Sequence, residues 1–221
     1  MPRQSASLDL ATPQYIAETA LKIVDQDGHT ALSLRALADA LGISLAALQR
    51  RCTNVAGLLD LVTDHLAASL PDIPAETDWG TATEQRFTAL YELLTAHPGL
   101  VALRGARPWL SPQLLKRLVE PQLAHSLRAG MTPQSAITAY RQLYLLTLGS
   151  ASFVDHRNPQ SAQTATRQAL AALDPDEFPA LTGNLASILP AVVDHQVYYG
   201  ALHQLIQAAD PARADPRRSR P

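Results

Sequence analysis

The stretch Leu32-Ser33-Leu34-Arg35-Ala36-Leu37-Ala38-Asp39-Ala40-Leu41-Gly42-Ile43-Ser44 decides the fold. Ser33 is a capping acceptor, Leu34, Leu37, Ala38 and Leu41 recur at helical spacing, and Gly42 stands where a helix ends in a left-handed residue. Ser44 then caps a second short helix, residues 45–52, that turns Leu48 inward. Two helices joined in this way make a helix-turn-helix, whose second member is suited to the major groove of DNA.

Working outward, Thr12-Pro13 sets an N-cap acceptor beside a residue preorganised for the first helical turn, and Ile16, Ala20, Ile23 and Val24 follow at helical spacing up to Gly28. On the other side Asn54 caps a longer helix through Leu58, Leu59, Val62 and Leu66. The Pro-rich stretch at 71–78 reads as a linker or hinge, which divides the chain into a head, residues 1–70, and a body, residues 71–209. In the body Asp78 caps a helix that turns Phe87, Leu90, Tyr91 and Leu94 inward and ends at His97-Pro98-Gly99. Ser111-Pro112 opens a helix reaching residue 129, which Pro121 is expected to kink. Thr132-Pro133 opens a long one, with Ile137, Tyr140, Tyr144, Thr147, Leu148, Ala151 and Val154 along one side. Helices over about 161–173, 176–189 and 191–209 complete the body, and residues 210–221, with Arg213, Arg217, Arg218 and Arg220 among prolines, read as a disordered tail. No segment sustains the period-2 alternation of a half-buried strand, so the fold class is all-α.

Composition narrows the function. With 47% apolar and 17% charged residues the 221-residue chain can bury a core, and its apolar runs break before the roughly 18–20 residues a membrane span needs. The expected location is cytoplasmic. Cys52 is the single cysteine, which leaves no internal disulfide and no cysteine-based zinc site; it reads as a core residue. Histidines 29, 65, 97, 125, 156, 195 and 203 show no metal-ligand spacing, and no Gly-rich phosphate loop appears, so neither an enzyme nor a bound cofactor is expected. The net charge is −2, so any attraction to nucleic acid must come from a local patch.

The motif at 32–44, followed by Asn54 and Leu58-Leu59, resembles the DNA-binding domain of the tetracycline-repressor (TetR) family, over roughly residues 15–66. The resemblance implies that 45–52 is the recognition helix, with Leu45, Ala46, Gln49 and Arg50 placed to reach base edges. Gln pairs with adenine and Arg with guanine, while Leu and Ala make apolar contact. Arg35, Ser44, Arg51 and Asn54 complete the implied DNA-binding set. Where the family usually has Leu-Tyr-x-His this chain has Leu48-Gln49-Arg50-Arg51, and Asn54-Val55 replaces Asn-Lys. A Tyr and a Lys that commonly hold phosphates are missing, which implies weaker, salt-sensitive binding or a restricted operator. The alternative is a helical ligand-binding dimer of the same fold that has lost or weakened DNA binding.

The body resembles the ligand domain of the tetracycline-repressor type. His97-Pro98-Gly99, Gly105-Ala106-Arg107-Pro108, Glu120-Pro121-Gln122-Leu123, Thr147-Leu148-Gly149, Glu177-Phe178-Pro179 and Tyr198-Tyr199-Gly200 occur in that order. This implies a homodimer that pairs its long helix and its last helix with those of its mate, a palindromic double-stranded operator and a small-molecule effector. By the same likeness Arg107 and Gln122 line the pocket. Leu103 stands where the repressor holds magnesium–tetracycline with a histidine, and residues 150–154 offer no carboxylate. An uncharged or aromatic, mostly apolar effector is expected instead, against Phe87, Trp109, Tyr140, Tyr144 and Thr147. For each aromatic, core packing stands beside ligand contact as a reading, and His97 reads as a helix cap or a ligand contact.

Overall fold

A computed structural model describes residues 11–104, 111–153, 159–192 and 196–211, and every element in them is helical. The head is built from α1 (Pro13–Asp27), α2 (Leu34–Leu41), α3 (Leu45–Gln49) and α4 (Val55–Ala67). The caps form where the sequence places them: the side chains of Thr12, Ser33, Ser44 and Asn54 accept from the amides of Tyr15, Ala36, Ala47 and Gly57. Gly42 takes φ +67°, and the amide of Ile43 returns to Ala38 O at 3.0 Å, which ends α2 and turns the chain into α3. Ile16, Leu37, Leu48 and Leu58, all fully buried, form the core under this turn. Cys52 joins it at 3% exposure, its thiol turned toward Leu48 O, and burial pushes its pKa up.

The body comprises α5 (Trp79–Ala96), α6 (Pro98–Arg104), α7 (Pro112–Leu114), α8 (Glu120–Arg128), α9 (Pro133–Phe153), α10 (Pro159–Ala171), α11 (Pro179–Thr182), α12 (Leu185–Val192) and α13 (Gln196–Ala209). Helices α5, α8, α9 and α13 pack as its centre, and α10, α11 and α12 pack against one another. Two expectations change in detail. Between α7 and α8, residues Leu115–Val119 form a π-helical segment that closes with the amide of Glu120 on Leu115 O. Pro121 has no amide to offer the helical ladder, so the chain widens by one residue just before it. The helices expected over 176–189 and 191–209 divide differently: α11 and α12 part at Gly183-Asn184, α12 runs on to Val192, and the last helix begins at Gln196.

The Pro-rich stretch meets the body at two points. Leu70 is buried, Pro74 O lies 3.1 Å from His125 Nε2, and Asp72 meets Arg117 at 3.3 Å on the surface. Head and body share one apolar cluster that runs from Ala11 to Ile206. The terminal segments 1–10 and 212–221, including most of the expected tail, lie outside the described residues, as do Arg107 and Trp109.

Candidate functional site

On the head, α3 presents a polar surface on an apolar support. Ala47 and Leu48 are buried while Ala46, Gln49, Arg50 and Arg51 are exposed, with Leu45 half-buried at the edge. Arg35, near the start of α2, is exposed as well. Helix α3 is shorter than the expected 45–52: it ends at Gln49, and the amides of Arg51 and Cys52 both fold back on Leu48 O. Arg51 lines a cleft of about 510 Å³ with Gln14, Asp60, Asp64 and His65, on the α1–α4 side of the head. Ser44 and Asn54 serve as caps, 3.2 and 2.9 Å from the amides they accept. Arg35, Ser44, Ala46, Gln49, Arg50, Arg51 and Asn54 are thus all exposed, on α2, on α3 and in the turns that flank α3.

In the body the sequence-predicted residues fall into separate groups. Phe87, Tyr140, Tyr144 and Thr147 come together where α5, α9 and α13 meet. The Phe87 and Tyr140 rings lie 6.2 Å apart, and Tyr140 stacks on Tyr144 at 5.6 Å. Tyr198 of α13 completes this group: its hydroxyl donates to Phe87 O at 2.9 Å and stands 3.0 Å from Thr147 Oγ1, while its ring stacks on Tyr91 at 3.8 Å. Burial pushes the Tyr140 and Tyr198 hydroxyls well above their ordinary pKa.

Gln122 belongs to a different, polar group at the α5–α8 contact. Its Oε1 accepts from Arg86 Nη1 at 2.7 Å and its amide donates to Thr83 at 2.8 Å, while its backbone carbonyl accepts from Ser126. Trp79 Nε1 donates to Ser126 in turn, at 3.0 Å. Gln122, Thr83 and Ser126 are fully buried and Arg86 is 1% exposed. Burial, with the positive charge of Arg128 acting in the same direction, pulls the Arg86 pKa down to about 10. Its Nε is buried with no acceptor. A buried donor left unmade costs about 1–3 kcal/mol, more when it is charged.

Arg86 escaped the sequence reading because Glu84-Gln85-Arg86 looks like a solvated face. The signal lay in its spacing: Trp79, Thr83, Arg86 and Leu90 share one side of α5.

His97 stands apart from both groups. It ends α5, and its Nδ1 lies 2.9 Å from Asp25 Oδ2 on α1, so it links body to head. Two further contacts reinforce this joint. The amide of Gln113, at the start of α7, donates to Asp64 of α4 at 2.8 Å. Gly99 of α6 lies so close to α1 that an added Cβ would sit 2.4 Å from Val24 Cγ1.

Comparison with known proteins agrees with this architecture. The family described as tetracyclin repressor-like, C-terminal domain, matches residues 70–198. An HTH-type transcriptional regulator of Saccharopolyspora erythraea is 28% identical over 187 residues, covering 82% of this chain and 78% of that protein. The HTH-type transcriptional repressor DrrR1 of Streptomyces coeruleorubidus is 26% identical over 152 residues, or 68% of this chain and 54% of that one. Among solved structures, apo ActR from Streptomyces coelicolor superposes with a TM-score of 0.73 at 23% identity, over 90% of this chain and 94% of its own. ActR in complex with actinorhodin gives 0.72 at 24% identity over the same shares. The family match spans most of the body and joins it to the head motif read from residues 32–44, and on that ground the chain belongs to the TetR family of transcriptional regulators.

Proposed function

We propose that this chain is a transcriptional repressor whose head, residues 1–70, leaves its operator when a small molecule enters the body, residues 71–209. The observation that carries the reading is the joint. The apolar support beneath the surface that would meet DNA and the interior that would meet a ligand belong to one continuous core, and head and body also touch through Gly99 and Val24 and through His97 and Asp25. A shift of α6 therefore cannot leave α1 where it was. Ligand acts by favouring a dimer whose heads no longer match two half-sites about one helical turn, roughly 34–36 Å, apart.

The base-reading residues are Ala46, Gln49 and Arg50 with Leu45, and Arg35 and Arg51 supply charge toward phosphates. The chain acts as a homodimer on a palindromic operator, in the cytoplasm, without catalysis. Pairing through α9 and α13 is supported by Leu145 and Val197, which are 60% and 53% exposed on helices that pack side by side. Among the described residues no helix is long and apolar enough to cross a membrane. The complex of ActR with actinorhodin supports a small organic effector for this chain too.

The test begins with selection of bound sequences from random duplex DNA, followed by titration of candidate effectors into the protein–operator complex. Recovery of a two-fold symmetric sequence, released by a molecule that binds the body, is the expected result. The second reading, a ligand-binding dimer without an operator, is favoured by Gln49 and Val55 at positions where the family holds phosphates. Failure to prefer any duplex at low salt would establish it.

A further inference from the structure

Arg86 narrows the reading just given and rests on it. Both of its hydrogen bonds, to Ala82 O and Gln122 Oε1, leave from Nη1, and Nε is buried without an acceptor. The Nε–Nη2 edge of a guanidinium is a fork that receives a carboxylate through two parallel bonds, and among the described residues neither of its nitrogens has a hydrogen-bond partner. Among the described residues no carboxylate pairs with Arg86; the charge acting on it is the like charge of Arg128. Gln122 holds Nη1 of the guanidinium while its own amide is held by Thr83, so the orientation of the guanidinium is fixed by protein contacts. A buried cation, oriented and without a counterion among the described residues, withdraws stability from the fold, and an anion from outside would restore it.

We propose that the effector is an organic acid with an apolar body, whose carboxylate is received on the Nε–Nη2 edge of Arg86. This departs from the uncharged molecule that the aromatic residues alone favour. Gln122 is a positioning residue in this arrangement, and Arg86 makes the contact.

The experiment titrates the full chain calorimetrically with 2-naphthoate and anthraquinone-2-carboxylate, and with the neutral carboxamide of each. At least one acid should bind ten or more times tighter than its amide, and Arg86→Met should erase that preference. Equal affinity of acid and amide, no heat from either pair, or a preference that survives Arg86→Met would overturn the proposal. The double variant Arg86→Met/Gln122→Leu removes both partners together and should melt no lower than the native protein. A melting point well below it would make Arg86 a structural support and also overturn the proposal. Operator release is read separately. An acid that binds through Arg86 but leaves the operator occupied sinks the repressor reading alone, whereas release by the amide as readily as by the acid sinks the acid site alone.

Discussion

The head and the body hide opposite kinds of side chain. Among the described residues of the head the buried side chains are apolar except Thr63, whose hydroxyl is spent on Leu59 O within its own helix. Arg35, Gln49, Arg50 and Arg51 are all outside. In the body Thr83, Arg86, Gln122, His125, Ser126 and Thr147 are buried. A surface that reads a groove needs its hydrogen-bonding groups in water and a rigid apolar base beneath them. An interior that holds a small molecule needs those groups inside, where each must be partnered and each unmade bond lowers stability. Exposed polar groups of the head can therefore be changed without disturbing its core, whereas the buried ones of the body cannot.

Removing polar side chains from each region should have opposite effects on binding and on stability. Arg50→Ala combined with Arg51→Ala should weaken operator binding by about a hundredfold or more, since one base contact is worth about 1–3 kcal/mol and lost charge adds to it. Fluorescence anisotropy with operator DNA measures the loss, and the melting point should stay within about 1 °C because both side chains are exposed. Gln122→Ala should do the reverse. It strands a buried guanidinium and lowers stability by about 2–3 kcal/mol, close to the strength of a hydrogen bond to a charged group. In a chain of this size that is a fall of roughly 4–12 °C in melting temperature, with operator affinity of the folded protein little changed. An unchanged melting point in Gln122→Ala would mean that the α5–α8 polar group is slack and the contrast between the two regions is false.

The same contrast governs what the sequence discloses. The caps of the head were legible, because Thr12, Ser33, Ser44, Asn54 and Gly42 act through local backbone geometry that neighbours in sequence determine, whereas the early end of α3 at Gln49 was not. Several of the body's helices were legible for the same reason, with Asp78 as the cap of α5, but the division of residues 176–192 into two helices was not. The polar interior was not. Gln122 meets Arg86 across 36 residues and Trp79 meets Ser126 across 47, and no local pattern announces such a pairing. Pro121 announced a disturbance but not its form, because a kink and a widened turn both relieve the missing amide. His97 was read as a cap or a ligand contact; its partner Asp25 lies 72 residues away, on the other region of the chain.

Where head meets body, Gly99 and Val24 meet by close contact while His97 and Asp25 meet by charge. Gly99→Ala forces a Cβ to within 2.4 Å of Val24 Cγ1 and 3.2 Å of Val24 O. Overpacking of this kind costs about 1–3 kcal/mol, and α1 must move to relieve it, so operator affinity should shift along with the melting point. Val24→Ala removes the nearer of those atoms and should restore much of the loss when the two changes are combined.

His97 and Asp25 should behave differently. Their side chains are 23% and 33% exposed, and a pair so placed contributes about 0–1 kcal/mol. In a double-mutant cycle, His97→Ala and Asp25→Ala should therefore couple by less than about 1 kcal/mol in thermal melts. A coupling well above that, with no rescue of Gly99→Ala by Val24→Ala, would reverse the assignment. The head would then be steered by charge rather than by contact, and its response to ligand should weaken as salt is raised.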